Sequence, residues 1–152
     1  MQPLNPQDLL IRRRPLEAVL EAATDSQPSR TVALERFQTL EQTIRENPLT
    51  VQPYLELAGY YFDSHRWMDA RRVLELACQR FPKVEQAQFL LEEAQLARSL
   101  QLNNQAEQAH HDEPTQLTQA ALEQSQLELN VLRERVCRSR LLRHPEQSQL
   151  YL

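Results

Sequence analysis

Glycine is almost missing from this chain: there is one, Gly59, in 152 residues, against nine prolines. Glycine supplies the positive φ angles of tight turns and the bare backbone of phosphate-binding loops. A nucleotide-binding loop or a β-rich fold with tight turns is therefore not expected. The residues that dominate instead, Ala, Leu, Gln, Glu and Arg, all favour helices. The sequence predicts an all-α protein.

Cysteine and long apolar runs are also scarce. Cys78 and Cys137 stand far apart, in no metal-binding or redox motif, and Cys78 falls on an apolar stripe, so we expect a reduced core thiol. No stretch approaches the ~20 apolar residues of a membrane-spanning helix. The short run Leu9–Ile11 precedes three arginines, whereas a secretory signal has its charge first. We expect a cytoplasmic protein without a membrane partner.

Charge gives the chain no global attraction to nucleic acid. Its formal net charge is −4, with an isoelectric point of about 5.6. Besides the three N-terminal arginines, a basic run lies between Arg133 and Arg143. It would suit phosphates along a helix face, but cations at a helix C-terminus also complement the helix dipole. Glu128 and Glu134 offer partners, and no aromatic residues for base stacking stand beside the run. Nucleic acid is not an expected partner.

The strongest pattern lies between Val51 and Val84. Pro53 fits the first turn of a helix, residues 63–66 interrupt the apolar spacing, and Pro82 stops a second helix near Arg80. The apolar positions at helical spacing are Tyr54, Leu57, Ala58 and Tyr61, then Trp67, Ala70, Val73, Leu74, Ala77, Cys78 and Phe81. The alanines among them allow two helix backbones to approach closely, so the stretch predicts a helical hairpin.

These residues resemble a tetratricopeptide repeat, a helical hairpin of about 34 residues. The matching positions are Tyr54, Leu57, Ala58, Tyr61, Ala70, Leu74, Ala77 and Pro82. The family usually has Trp, Gly and Phe where this chain has Tyr54, Ala58 and Leu74, and Gly59 comes one place late. The resemblance implies a short solenoid of stacked hairpins, since roughly three repeats are normally needed to bury the apolar faces.

The flanks supply candidate neighbours for this hairpin. Upstream we predict a short helix opened by Pro15, a loop at Gln27–Ser29 and a helix from about Thr31 to Glu46 that ends at Asn47-Pro48. Downstream we predict a capping helix from Glu85 to Leu100. The predicted domain order is an N-terminal segment with a short helix at 1–28, a helical stack at 29–101, a polar linker at 102–114, and a long helical arm and tail at 115–152.

The predicted arm starts at a cap on Thr115 or Glu113 and runs to about Arg143. Its apolar residues form two narrow stripes, which suit a helix with two neighbours, so the simplest interpretation packs it back on the repeat. A homodimer through this helix is the alternative. The His110–Glu113 run has metal-ligand residue types, but adjacent residues do not share a helix face. No metal or cofactor is expected.

The predicted function is that of a non-catalytic protein–protein interaction scaffold. The neighbours Asp63, Ser64 and His65 have residue types used in catalysis, but they lie at a solvent-facing turn, so we expect no enzyme. In the family that the hairpin resembles, peptides lie in the concave groove of the first helices. The corresponding residues here are Gln52, Leu55, Gly59, Phe62 and Asp63, with Gln86, Phe89, Glu93 and Leu96 of the next helix.

The chemistry of these positions narrows the partner. Family members that bind terminal carboxylates use Lys, Arg and Asn there, and this chain has none of them at those places. We therefore expect a partly apolar partner, such as a helix or an extended segment. Two alternatives stay open: the N-terminal pair or the long helix itself fills the groove, or the chain is a self-associating structural element joined by its C-terminal helix.

Overall fold

The helices of this protein are described by a computed structural model for the backbone of residues 27–150 and the side chains of residues 33–147. They are α1 (Gln27–Glu46), α2 (Gln52–Asp63), α3 (Trp67–Arg80), α4 (Glu85–Asp112) and α5 (Gln116–Arg143), followed by a 3₁₀ helix (Pro145–Leu150). No strand occurs within this range, which confirms the all-α prediction. Among these helices, none combines the length and apolar character needed to cross a membrane.

Prolines mark most helix boundaries, as the sequence predicted. Pro53 stands in the first turn of α2, where a missing N–H costs little. Helix α3 ends at Arg80, two residues before Pro82, and α1 ends at Glu46, just before Asn47 and Pro48. Pro48 and Pro82 cannot continue these helices without loss of a backbone hydrogen bond, because proline has no N–H.

The turn between α2 and α3 is a Schellman motif. The N–H of His65 donates to the Phe62 carbonyl at 3.0 Å, and the N–H of Arg66 donates to the Tyr61 carbonyl at 2.8 Å. His65 occupies the left-handed position of the motif, with φ 54°. The Arg66 guanidinium lies 4.9 Å from the centre of the Tyr61 ring, in the place of the usual apolar contact.

The core lies where consecutive helices pack on one another. Each helix makes its extensive contacts with the helix before and after it in the chain. Ala58, Ala70 and Ala77 are fully buried between α2 and α3, which confirms that these small residues let the helices approach. Fully buried Ala87 and Ala94 extend the same packing to α4. Phe37 of α1 closes the other side, with its ring 5.4 Å from the Tyr60 and Tyr61 rings.

The predicted polar linker at 102–114 is wrong, because α4 continues to Asp112. Only residues 113–115 separate it from α5. Asn103, within the range predicted as a linker, is only 6% exposed. Its Oδ1 accepts a hydrogen bond from Ser125 Oγ of α5 at 3.2 Å. The Gln108 amide donates to Asp112 at 2.7 Å within the helix. Packing against α5 therefore stabilises a stretch whose own composition is weakly amphipathic.

The predicted loop at Gln27–Ser29 is also wrong, since α1 already begins at Gln27. Pro28 fits there because the first turn of a helix needs no N–H from it. The short helix predicted from Pro15 lies outside the described residues.

Helix α5 begins as predicted, with Thr115 as its cap. The Thr115 hydroxyl accepts from the Thr118 N–H at 3.2 Å, and the Thr118 hydroxyl accepts from the Thr115 N–H at 3.0 Å. The helix then packs along α4, burying Leu129 and Val136. Its extensive contacts are therefore with α4, and not with the hairpin of α2 and α3 on which the simplest interpretation packed it.

Ion pairs join the far ends of α4 and α5. Glu92 accepts from Arg140 Nε at 2.9 Å and from Arg143 at 2.6 Å, and a second Arg140 nitrogen donates to Glu93 at 2.6 Å. The side chains of Arg140 and Glu92 are only 13% and 14% exposed. Charges so far removed from water need partners, and these residues supply them to each other.

Candidate partner-binding surface

Helix α2 carries five of the nine residues predicted to contact a partner. Gln52, Gly59 and Asp63 are exposed to solvent. Phe62 is half-buried, with its ring against that of Trp67 at 5.4 Å and 71°. Leu55 differs from the rest, because it is 9% exposed and belongs to the hydrophobic core. The exposed face of α2 is therefore a polar strip with one accessible aromatic side chain.

Gly59 leaves the α2 backbone bare in the middle of this face. A Cβ built at Gly59 meets no heavy atom of the described residues within 4 Å. The glycine does not have a positive φ. Neither the backbone conformation nor the packing of the described residues therefore requires a glycine at this position.

The other four predicted residues lie on α4, where α5 also makes contact. Gln86 is exposed, and Leu96 is half-buried. Phe89 is 45% exposed, with the Arg140 guanidinium 4.3 Å from its ring centre. Glu93 is bound by the same arginine. Two of the four thus contact α5, which the sequence raised as an alternative occupant of the groove.

A cleft of about 350 Å³ opens beside Phe89 where the start of α4 meets the end of α5. Its lining residues are Glu85, Gln86, Phe89, Arg140, Arg143, His144 and Gln147. Local sequence does not predict this cleft, because its two sides lie more than fifty residues apart and only the run of arginines marks one of them. Glu92 and Glu93 already hold Arg140 and Arg143, so these arginines do not offer free charge to an anionic ligand.

The pKa values of three groups near the core, Tyr61, Cys78 and Arg140, are raised, so each keeps its proton at neutral pH. Burial, with the nearby Glu92 carboxylate, raises the pKa of the Cys78 thiol. Burial and Glu41 likewise raise the pKa of Tyr61. Burial alone would lower the pKa of Arg140, but hydrogen bonds to Glu93 and Glu92 raise it. A thiol with a raised pKa is a poor nucleophile at neutral pH, so this environment does not activate Cys78.

Ser64 and His110, whose residue types occur in catalytic and metal sites, make hydrogen bonds at helix ends. Ser64 Oγ donates to the Tyr60 carbonyl at 2.8 Å, which ties it to the end of α2. His110 contacts the Thr118 hydroxyl at 2.9 Å, at the turn between α4 and α5. Within the part of the chain that the structure describes, no group of three or more His, Cys, Asp or Glu side chains is placed to hold a metal ion.

No protein-family model matches this chain, and comparisons with curated proteins and with solved structures give no match either.

Proposed function

We propose that this chain is a non-catalytic protein-interaction module that binds a segment of another polypeptide on the face of α2 around Gly59. In this proposal α1 to α4 form a tetratricopeptide-like stack, and the binding face continues onto α4 at Gln86, Phe89 and Leu96. The alanines that pack α2 on α3, and the matching spacing of their apolar residues, support this arrangement.

Gly59 is the observation that carries the proposal. A glycine in a helix interior costs about 1 kcal/mol relative to alanine, and this chain has used its only glycine there. No described side chain fills the space above it. Departures from local preference without a structural reason concentrate at functional sites. Close approach of a partner's backbone to α2 accounts for a position at which any side chain would be in the way.

The chemistry around Gly59 indicates a partly apolar partner. Phe62 and Phe89 supply apolar surface, while the Gln52 and Gln86 amides can both donate to and accept from a peptide backbone. The only charged residues of the set are the acids Asp63 and Glu93, and Arg140 already binds Glu93. Affinity would come from apolar burial, at about 25 cal/mol per Å² before ordering costs. This composition supports an extended or helical segment over a terminal carboxylate or a nucleic acid.

Two substitutions at one position test the proposal. Gly59→Arg places a long side chain in the binding face, and Gly59→Ala adds only a methyl group to the same helix. Both raise helix propensity, by about 1 kcal/mol relative to glycine, so neither is expected to unfold the chain. Affinity capture from the native host with quantitative mass spectrometry identifies the partner, and titration of the purified partner then gives its Kd.

We expect Gly59→Arg to bind the partner at least about tenfold more weakly than the wild type, a loss of 1.4 kcal/mol or more. Gly59→Ala, whose added methyl group also enters the binding face, should bind with a Kd between those of the wild type and Gly59→Arg. Phe62→Ala is a second probe, since that side chain is accessible. Leu55→Ala is not a suitable probe of binding, because loss of a core side chain destabilises the fold itself. Equal binding by wild type and Gly59→Arg would reject this face.

A further inference from the structure

Helix α5 has a second apolar stripe that no described residue covers. One stripe faces α4 and is buried at Leu129 and Val136, which are 5% and 4% exposed. The other consists of Leu117, Leu127, Val131 and Leu142, which are 81%, 59%, 58% and 86% exposed. At 100° per residue these four fall on one side of the helix, well away from the buried stripe. Gln124, Arg135 and Arg138 fall on the same side, so polar side chains interrupt the apolar ones. We call them the outer stripe.

The hairpin of α4 and α5 is electrically polar along its length. From Ser99 to Leu132 the chain has no lysine or arginine, and its charged residues there are Glu107, Asp112, Glu113, Glu123 and Glu128. The turn end of the hairpin is therefore acidic. The opposite end of α5 exposes Arg133, Arg135 and Arg138 and only one acid, Glu134.

The exposed charges of α5 balance between its two halves. The first half exposes two glutamates, Glu123 and Glu128, which give it a net charge of −2. The second half exposes three arginines and one glutamate, a net charge of +2. Arg140 and Arg143 do not enter this sum because Glu92 and Glu93 hold them.

The outer stripe is also nearly symmetric about its centre. Leu117 and Leu142 lie at equal sequence distances from the point between residues 129 and 130, and Leu127 and Val131 flank residue 129 equally. Consider two α5 helices that run antiparallel, with a twofold axis at this point. Leu117 of each copy then lies beside Leu142 of the other copy. Leu127 of one copy then lies beside Val131 of the other.

We propose that two copies of this chain associate through their outer stripes, with the two α5 helices antiparallel. The antiparallel arrangement sets the acidic half of each helix against the basic half of the other, while a parallel arrangement sets like charges together. It also covers an exposed apolar stripe that is otherwise costly in a soluble helix. Self-association uses α5 and leaves the α2 face free, so it does not depend on the function proposed above.

Oligomeric state is the first test, by sedimentation equilibrium of the full chain over a range of concentrations. We expect a reversible dimer for the wild type and a monomer for the double variant Leu127→Glu plus Val131→Glu. The matched control is Gln119→Glu plus Gln126→Glu, which adds the same two charges to the same helix on exposed positions off the stripe. Circular dichroism checks that all three remain helical.

Helix orientation is the second test, by distance measurement between nitroxide labels in a Cys78→Ala, Cys137→Ala background. A label introduced by Asn130→Cys should lie within about 15 Å of its copy, since packed helices are 8–10 Å apart. A label introduced by Gln116→Cys should lie about 40 Å from its copy, because antiparallel helices place these positions 27 residues apart at 1.5 Å each.

Three results would overturn the proposal. A wild type that stays monomeric at every concentration removes the dimer. A dimer that persists in Leu127→Glu plus Val131→Glu, or one that the off-stripe control also dissociates, places the contact elsewhere. Short distances at both labels show parallel helices.

Discussion

At the scale of single residues, α2 and its turn depart from helical preference twice. Gly59 stands in a helix interior, and His65 has φ 54°, a left-handed conformation that costs an ordinary residue about 1–2 kcal/mol. The two departures differ in kind. His65 follows from the fold, because the Schellman motif that joins α2 to α3 needs a left-handed residue at that place. Gly59 has no such explanation within the described residues, which is why we connect it with binding.

His65→Gly should stabilise the protein by about 1 kcal/mol, because glycine adopts the left-handed conformation without strain. The measurement is the free energy of unfolding in urea. His65→Ala is the control, since it removes the contact of the imidazole with the Trp67 ring, 5.4 Å away, but keeps the strained φ. We expect no gain from alanine. Equal stabilities of the glycine and alanine variants would show that the turn is not strained.

Stability should decline at alkaline pH through Tyr61 and Cys78. Both folded-state pKa values are raised, chiefly by burial, above 10.0 for the phenol and 9.0 for the thiol. The folded state therefore holds these protons more tightly than the unfolded state does. The resulting stabilisation is complete below about pH 9 and is lost as the pH rises through the raised folded-state values.

Urea unfolding between pH 7 and pH 11 measures this decline. The variant with Tyr61→Phe and Cys78→Ala lacks both titrating groups, so its stability should fall less over the alkaline range than that of the wild type. Parallel curves for the two proteins would assign the alkaline loss to other residues.

At the scale of helices, local sequence was enough where proline and apolar spacing agree. Pro53 and Pro82 bracket α2 and α3, and most buried residues of both helices lie on the predicted apolar faces. Leu55 is the exception, because it was predicted to contact a partner and belongs to the core. Local sequence failed at residues 101–112, because their polar composition resembles a linker. That stretch is helical because α5 packs against it. Ser125 of α5, 22 residues further along the chain, donates a hydrogen bond to the buried Asn103. The contact of Arg140 with Phe89 is equally long-range. The sequence raised α5 as an occupant of the groove, but it could not identify the residues that make the contact.

The ion pairs between α4 and α5 should stabilise the hairpin through Glu92. Glu92→Gln keeps the shape of the side chain and removes the charge that faces Arg140 and Arg143. These side chains are only 13% and 20% exposed, so we expect the free energy of unfolding to fall by roughly 2 kcal/mol or more.

Glu134→Gln is the matched control for this loss. It breaks an ion pair with Arg138 on the surface of α5, where the two side chains are 62% and 75% exposed. Such pairs contribute less than about 1 kcal/mol. Equal losses from the two substitutions in urea unfolding would mean that the contacts of Glu92 do not hold α5 on α4.

At the scale of the whole molecule, the two proposed surfaces lie on different helices and serve different partners. The face of α2 would bind another polypeptide, and the outer stripe of α5 would bind a second copy of the chain. A dimer would then present two α2 faces, and a partner with two binding segments would bind it with higher avidity than a monomer. The paired variants at Gly59 and at the outer stripe separate these roles, because each pair leaves the other surface unchanged.

Photo-crosslinking in the native host tests the central claim most directly, with a benzophenone amino acid in place of Gln52 or Asp63, which border the Gly59 face. Lys83, exposed in the turn between α3 and α4, is the control position. Our account predicts adducts with the same foreign polypeptide from positions 52 and 63, and their absence from position 83. Adducts only with residues 1–26 of this chain, or the same adducts from all three positions, would contradict it.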